Sequence, residues 1–103
     1  MTGYENVLRH QGLKNYQDGL DLDAAGKTAE AVEVYRVAVK LCPTLASAHF
    51  NLGFDLALLG RNEQAIRSWR KAVWLNADYR RELAKSLGFE DECDESEIRP
   101  STR

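Results

Sequence analysis

The chain has 103 residues, 44% hydrophobic and 29% charged, with a formal net charge of −2, the proportions of an ordinary globular domain with a modest core. No run of about 18 apolar residues occurs, and Met1 to Gln11 has no basic segment followed by an apolar stretch, so neither a membrane span nor a secretory leader is expected and a cytoplasmic location is the default. Cys42 and Cys93 fit no metal spacing and read as free thiols, and His10 and His49 form no recognisable motif with a nucleophile, so neither an enzyme nor a cofactor is expected.

Residues 1–11 read either as an arm or as a backward extension of the first helix, with Tyr4, Val7 and Leu8 as its apolar residues. In the second case Gly12 lies inside the helix, at about 1 kcal/mol relative to alanine. In 28–42, Ala31, Val34, Tyr35, Ala38, Val39 and Leu41 recur mostly at three and four, the period of a helix with one buried face. Gly26 supplies the turn before it, the Thr28 hydroxyl is placed to cap it, and Pro43 lies just past its end. The segment 46–59 puts Leu52, Leu56 and Leu59 on one face and closes at Gly60. A helix over about 63–76 then directs Ala65, Ile66, Trp69, Ala72, Val73 and Leu75 at the core. A short helix from Tyr79 to Leu87 follows, with Tyr79, Leu83 and Leu87 covering the preceding helices and Gly88 where a left-handed C-cap belongs.

Two of these stretches repeat each other at 34 residues. Setting 12–45 under 46–79 pairs Gly19 with Gly53, Leu22 with Leu56, Gly26 with Gly60, Ala31 with Ala65, Tyr35 with Trp69 and Ala38 with Ala72. A helix-turn-helix unit of this length cannot bury its apolar face alone, so repetition predicts stacked helices with a shared core. The expected organisation is repeat one at 12–45, repeat two at 46–79, a capping helix at 80–89 and an acidic, disordered tail at 90–103. Charge follows this division, with +2 up to Phe89 and −4 from Glu90 onward.

The aligned residues resemble the tetratricopeptide repeat family, whose pattern runs W-x2-L-G-x2-Y, then A-x3-F, then P. The second unit reads His49, Leu52, Gly53, Leu56, Gly60, Ala65, Trp69, Ala72 and Ala77. The first reads Asn15, Asp18, Gly19, Leu22, Gly26, Ala31, Tyr35, Ala38 and Pro43, departing from the pattern at Asn15 and Asp18. The resemblance implies an all-α fold of antiparallel helix-turn-helix repeats, an α-solenoid fragment ended by a capping helix. It also implies a concave groove lined by the first helix of each unit. The family's ligand-facing sites map onto Leu13, Tyr16, Leu20, Asp23 and Ala24, and onto Ser47, Phe50, Phe54, Ala57 and Leu58. Co-chaperone members clamp a C-terminal carboxylate there with lysine and asparagine. Tyr16 and Leu20 stand at two of those positions, only Asn51 matches, and an amphipathic helix or extended apolar peptide fits better.

The expected binding residues are therefore Leu13, Tyr16, Leu20, Phe50, Asn51, Phe54 and Leu58, with Phe54 and Leu58 pointing outward. Trp74 joins them because its counterpart in the first unit is Lys40 and the family usually places a polar residue there. The function these residues imply is a non-catalytic adaptor for a protein or peptide. Two units plus a cap fall short of the roughly three repeats usually needed for stability, which keeps self-association into a homo-oligomer as the rival. The basic ridge of Arg67, Arg70, Lys71, Arg80, Arg81 and Lys85 is offset by a pI near 5.7 and lacks a basic aromatic platform, so nucleic acid is not an expected partner.

Overall fold

The computed structural model describes residues 2–88. Over that span the chain forms five helices: α1 Thr2–Ala24, α2 Thr28–Leu41, α3 Ala46–Leu58, α4 Asn62–Leu75 and α5 Asp78–Leu87. No strand occurs among the described residues. α1 runs unbroken through residues 2–11, so the first helix is extended backward, with Tyr4 and Val7 exposed on it. Residues 89–103, and with them the acidic tail and Cys93, lie outside the described residues.

Identical chain reversals end α1 and α3. The amide of Lys27 donates to the Leu22 carbonyl at 2.9 Å, and 34 residues on the amide of Arg61 donates to Leu56 at 2.9 Å. Each bond spans a glycine with positive φ, 79° at Gly26 and 81° at Gly60, the left-handed residue that lets the last carbonyls of a helix find partners. Gly88 ends α5 with φ 85°.

Small residues set how closely the paired helices approach. A Cβ placed on Gly12 would lie 2.8 Å from the Cβ of Cys42, at the far end of α2. One placed on Gly19 would run into the Tyr35 ring, and one on Gly53 into the Trp69 indole. The order of these contacts, 12 with 42 and 19 with 35, makes α1 and α2 antiparallel. Ala31, Ala38, Ala65 and Ala72 are all buried.

The core joins both pairs through Ala31, Val32, Tyr35, Leu52, Leu56 and Ala65. Several expected core assignments need correction. Ile66 is 45% exposed and Leu87 43%, and Leu59 stands 36% exposed at the end of α3. Val34, Val39 and Leu41 are only half-buried, whereas Val32 is fully buried. A helix in a stack has one side against its own partner and another against the next pair, so a single stripe misplaces residues on the second side. Thr28 does not cap α2 either: Lys27 holds the cap position without a side-chain hydrogen bond, and Thr28 is the first helical residue.

Candidate protein-docking surface

An aromatic chain crosses the second half of the molecule. Phe50 and Phe54, one turn apart on α3, meet edge to face at 5.0 Å between ring centroids; Phe50 continues to Tyr79 of α5 at 4.6 Å and Phe54 to Trp69 of α4 at 5.1 Å. Such ring pairs add about 0.5–1.5 kcal/mol beyond the area they bury. They tie α5, which touches α4 sparingly, back onto the repeat. Phe54 is therefore half-buried and does not project outward as the sequence suggests.

A groove of about 430 Å³ opens between α4 and α5. Ile66, Trp69, Val73 and Leu83 line it together with Trp74, and among the described residues the charged side chains on it are Arg70 and Arg80. Trp74 is 77% exposed, with the Lys71 ammonium 5.1 Å from its ring centroid, close enough for a cation–π contact. Trp69 belongs both to this groove and to the aromatic chain. Its indole N–H is buried and has no partner among the described residues.

The remaining expected binding residues spread over α1 and α3. Leu13 is 39% exposed and Leu58 74%, while Leu20 is half-buried. Tyr16 lies against Tyr35 at 5.9 Å between rings, and its hydroxyl accepts from Asn51 Nδ2 at 3.2 Å, so this pair sews the first unit to the second. The structure thus brings Phe50 and Phe54 together, joins Tyr16 to Asn51, and sets Trp74 in the separate α4–α5 groove. The other groove residues, Ile66, Trp69, Arg70, Val73, Arg80 and Leu83, were not among the expected binding residues. Their apolar members had been assigned to the core, and the visible signal was a second apolar side on α4 beyond the Ala65–Ala72 stripe.

A polar cluster sits where the pairs meet. The Tyr35 hydroxyl donates to Asp23 Oδ2 at 2.8 Å; burial first, then this bond and the charge of Asp23, raise the Tyr35 pKa above the ordinary phenol value. Asp55, only 5% exposed, is pushed up to about 8 by burial, with its hydrogen bond to Asp23 and the charge of Asp23 adding to the rise. Its Oδ2 has no partner among the described residues. Protonated Asp55 can donate to Asp23, which leaves a single charge on the carboxyl pair. The apolar run around Asp55 was the sequence signal for a buried acid.

His49 is half-buried, with Nε2 2.9 Å from the Pro43 carbonyl, and burial lowers its pKa against the opposing effect of that bond, Lys71 adding to the fall. Since a carbonyl only accepts, Nε2 carries the proton. Among the described residues no group of acids, histidines and cysteines could hold a metal ion, and no helix is long and apolar enough to cross a membrane.

Residues 19–54 match the family model described as TPR repeat. The match runs from the last turns of α1 through α2 and into α3, across the junction that the Tyr16–Asn51 bond and the Asp23–Asp55 pair hold together. No curated protein matches the chain. The matched segment, the 34-residue repetition and the all-α stack agree on a tetratricopeptide-like helical repeat, and repeats of that family generally mediate contacts between proteins.

Proposed function

We propose that this chain is a non-catalytic adaptor that holds a segment of a partner protein, and that the α4–α5 groove is its principal docking surface. The observation that carries this reading is Trp74, 77% exposed beside an apolar groove of about 430 Å³. That volume falls in the range of about 300–1,000 Å³ typical of ligand sites, and exposed aromatic anchors are the residues on which binding energy concentrates. The α1 and α3 residues Leu13, Tyr16, Leu20, Phe50, Asn51, Phe54 and Leu58 form the alternative surface on the same molecule. The reading assigns the chain to the cytoplasm and gives it no nucleic acid, membrane or cofactor.

Affinity capture with the full chain, its Trp74→Ala variant and its Leu58→Ser variant separates the two surfaces. Loss of captured partners with Trp74→Ala alone supports the α4–α5 groove, and loss with Leu58→Ser alone moves the site to the α1–α3 face. Retention of every partner by both variants defeats the adaptor reading at either surface.

Self-association is the second reading. Tyr4 and Val7, 73% and 65% exposed on α1, supply apolar surface at the opposite end of the stack from Trp74. Sedimentation at several concentrations tests it, and a strict monomer at high concentration removes it.

A further inference from the structure

The α4–α5 groove combines apolar walls with one sign of charge. Among the described residues, Arg70 and Arg80 are the charged side chains lining it and no acid does. The two helices that form it carry Arg67, Arg70, Lys71, Arg80, Arg81 and Lys85 against Glu63, Asp78 and Glu82, so a chain of net charge −2 presents a positive surface here. Lys71 keeps its ammonium beside Trp74. A cationic segment entering the groove would set like charges together as it lost water, whereas an acidic one would gain both attraction and steering.

We infer that the groove takes a segment of a partner protein whose large apolar side chains, along one helical stripe, are flanked by aspartate or glutamate. This rests on the protein-binding reading above and adds the chemistry of the partner. The apolar stripe fills the space lined by Ile66, Val73, Trp74 and Leu83, and a flanking carboxylate meets Arg70 on the same wall. An arginine fork can engage a carboxylate in bidentate fashion, and an amphipathic helix laid in a groove is a common mode of recognition.

Fluorescence anisotropy of dye-labelled synthetic peptides with the full-length chain provides the test. One peptide carries Leu and Phe along one helical stripe with Glu on the flanks; a second keeps the stripe and has Lys flanks; a third keeps Glu and replaces the stripe with Ala. Saturable binding of the first alone is expected, weakening as salt rises. Trp74→Ala and Arg70→Glu should each reduce affinity about tenfold or more while leaving helical circular dichroism unchanged. Equal binding of the Lys-flanked peptide would overturn the acidic partner and leave the groove as a protein site. If no peptide binds, the groove reading falls as well. Two further outcomes also overturn a foreign partner as occupant. Binding that emerges only when Glu90, Asp91, Glu92, Asp94, Glu95 and Glu97 are replaced by their amides would identify residues 89–103 as the competitor. A concentration-dependent dimer abolished by Trp74→Ala would identify a second copy of the chain.

Discussion

Tyr35, buried to 0% exposure on α2, donates its hydroxyl proton to Asp23 of α1 over 2.8 Å. The same ring fills the space left by Gly19 and lies against Tyr16. One side chain thus closes the first helix pair and supplies a donor to the acidic cluster at the junction. Tyr35→Phe keeps the ring and removes only the donor, leaving Asp23 next to Asp55 without it. The expected loss is about 1.5–3 kcal/mol, the range for a hydrogen bond to a charged group. Urea denaturation measures it, and a loss below about 0.5 kcal/mol would show that water replaces the bond.

Gly53 and Trp69 depend on each other in the second pair as Gly19 and Tyr35 do in the first. A methyl group at residue 53 meets the indole ring, which is held on another side by Phe54 and cannot easily move. Gly53→Ala should cost about 1–3 kcal/mol through overpacking, although alanine is the better helix former by about 1 kcal/mol. Gly53→Ala combined with Trp69→Leu should be less destabilised than the sum of the two single changes. Additivity in denaturant midpoints would contradict the contact.

How far such relationships are legible in the sequence depends on which surface a residue serves. The repeat spacing, the turn glycines and the small residues at crossings are local or periodic, and they appear in one pass along the chain. Gly12 was legible only as a propensity cost; its reason, the close approach of Cys42 at 2.8 Å, arises from packing between helices. A single stripe per helix left Val32 out of the core and put Ile66 into it, whereas Val32 is buried in the cluster that joins both pairs and Ile66 lines the groove. Trp74 stood out by breaking the repeat, but the groove around it needs α5 to form its other wall.

Asp55 gives stability a pH dependence whose sign follows from its raised pKa. Folding lifts its pKa from the ordinary carboxylate range to about 8, so the native state holds a proton that the unfolded chain releases near pH 4. The contribution is complete below that unfolded value and is lost as pH rises toward about 8, beyond which it stays constant. Asp55→Asn retains a donor for Asp23 and removes the titration. The variant should show a flatter stability profile between pH 5 and pH 8 and gain about 1 kcal/mol at the upper end. Thermal denaturation across this range decides it, and parallel profiles for the two proteins would show that Asp55 is not the titrating group.

Phe54 and Leu58 sit one turn apart on α3 and should respond in opposite ways. Phe54 contacts both Phe50 and Trp69, so Phe54→Ala removes the ring that connects α3 to α4 and, through Phe50, to Tyr79 of α5. A loss of about 3 kcal/mol is expected, near the lower end for truncating a phenylalanine because the site is only half-buried. Leu58, 74% exposed, has little to lose, and Leu58→Ser should change stability by no more than about 0.5 kcal/mol. Tryptophan emission adds a second readout. Phe54→Ala should alter it by uncovering one side of Trp69, while Leu58→Ser should leave it as in the parent chain. Similar stability losses in the two variants would place both side chains in the same environment and contradict the aromatic chain as the tie between α3, α4 and α5.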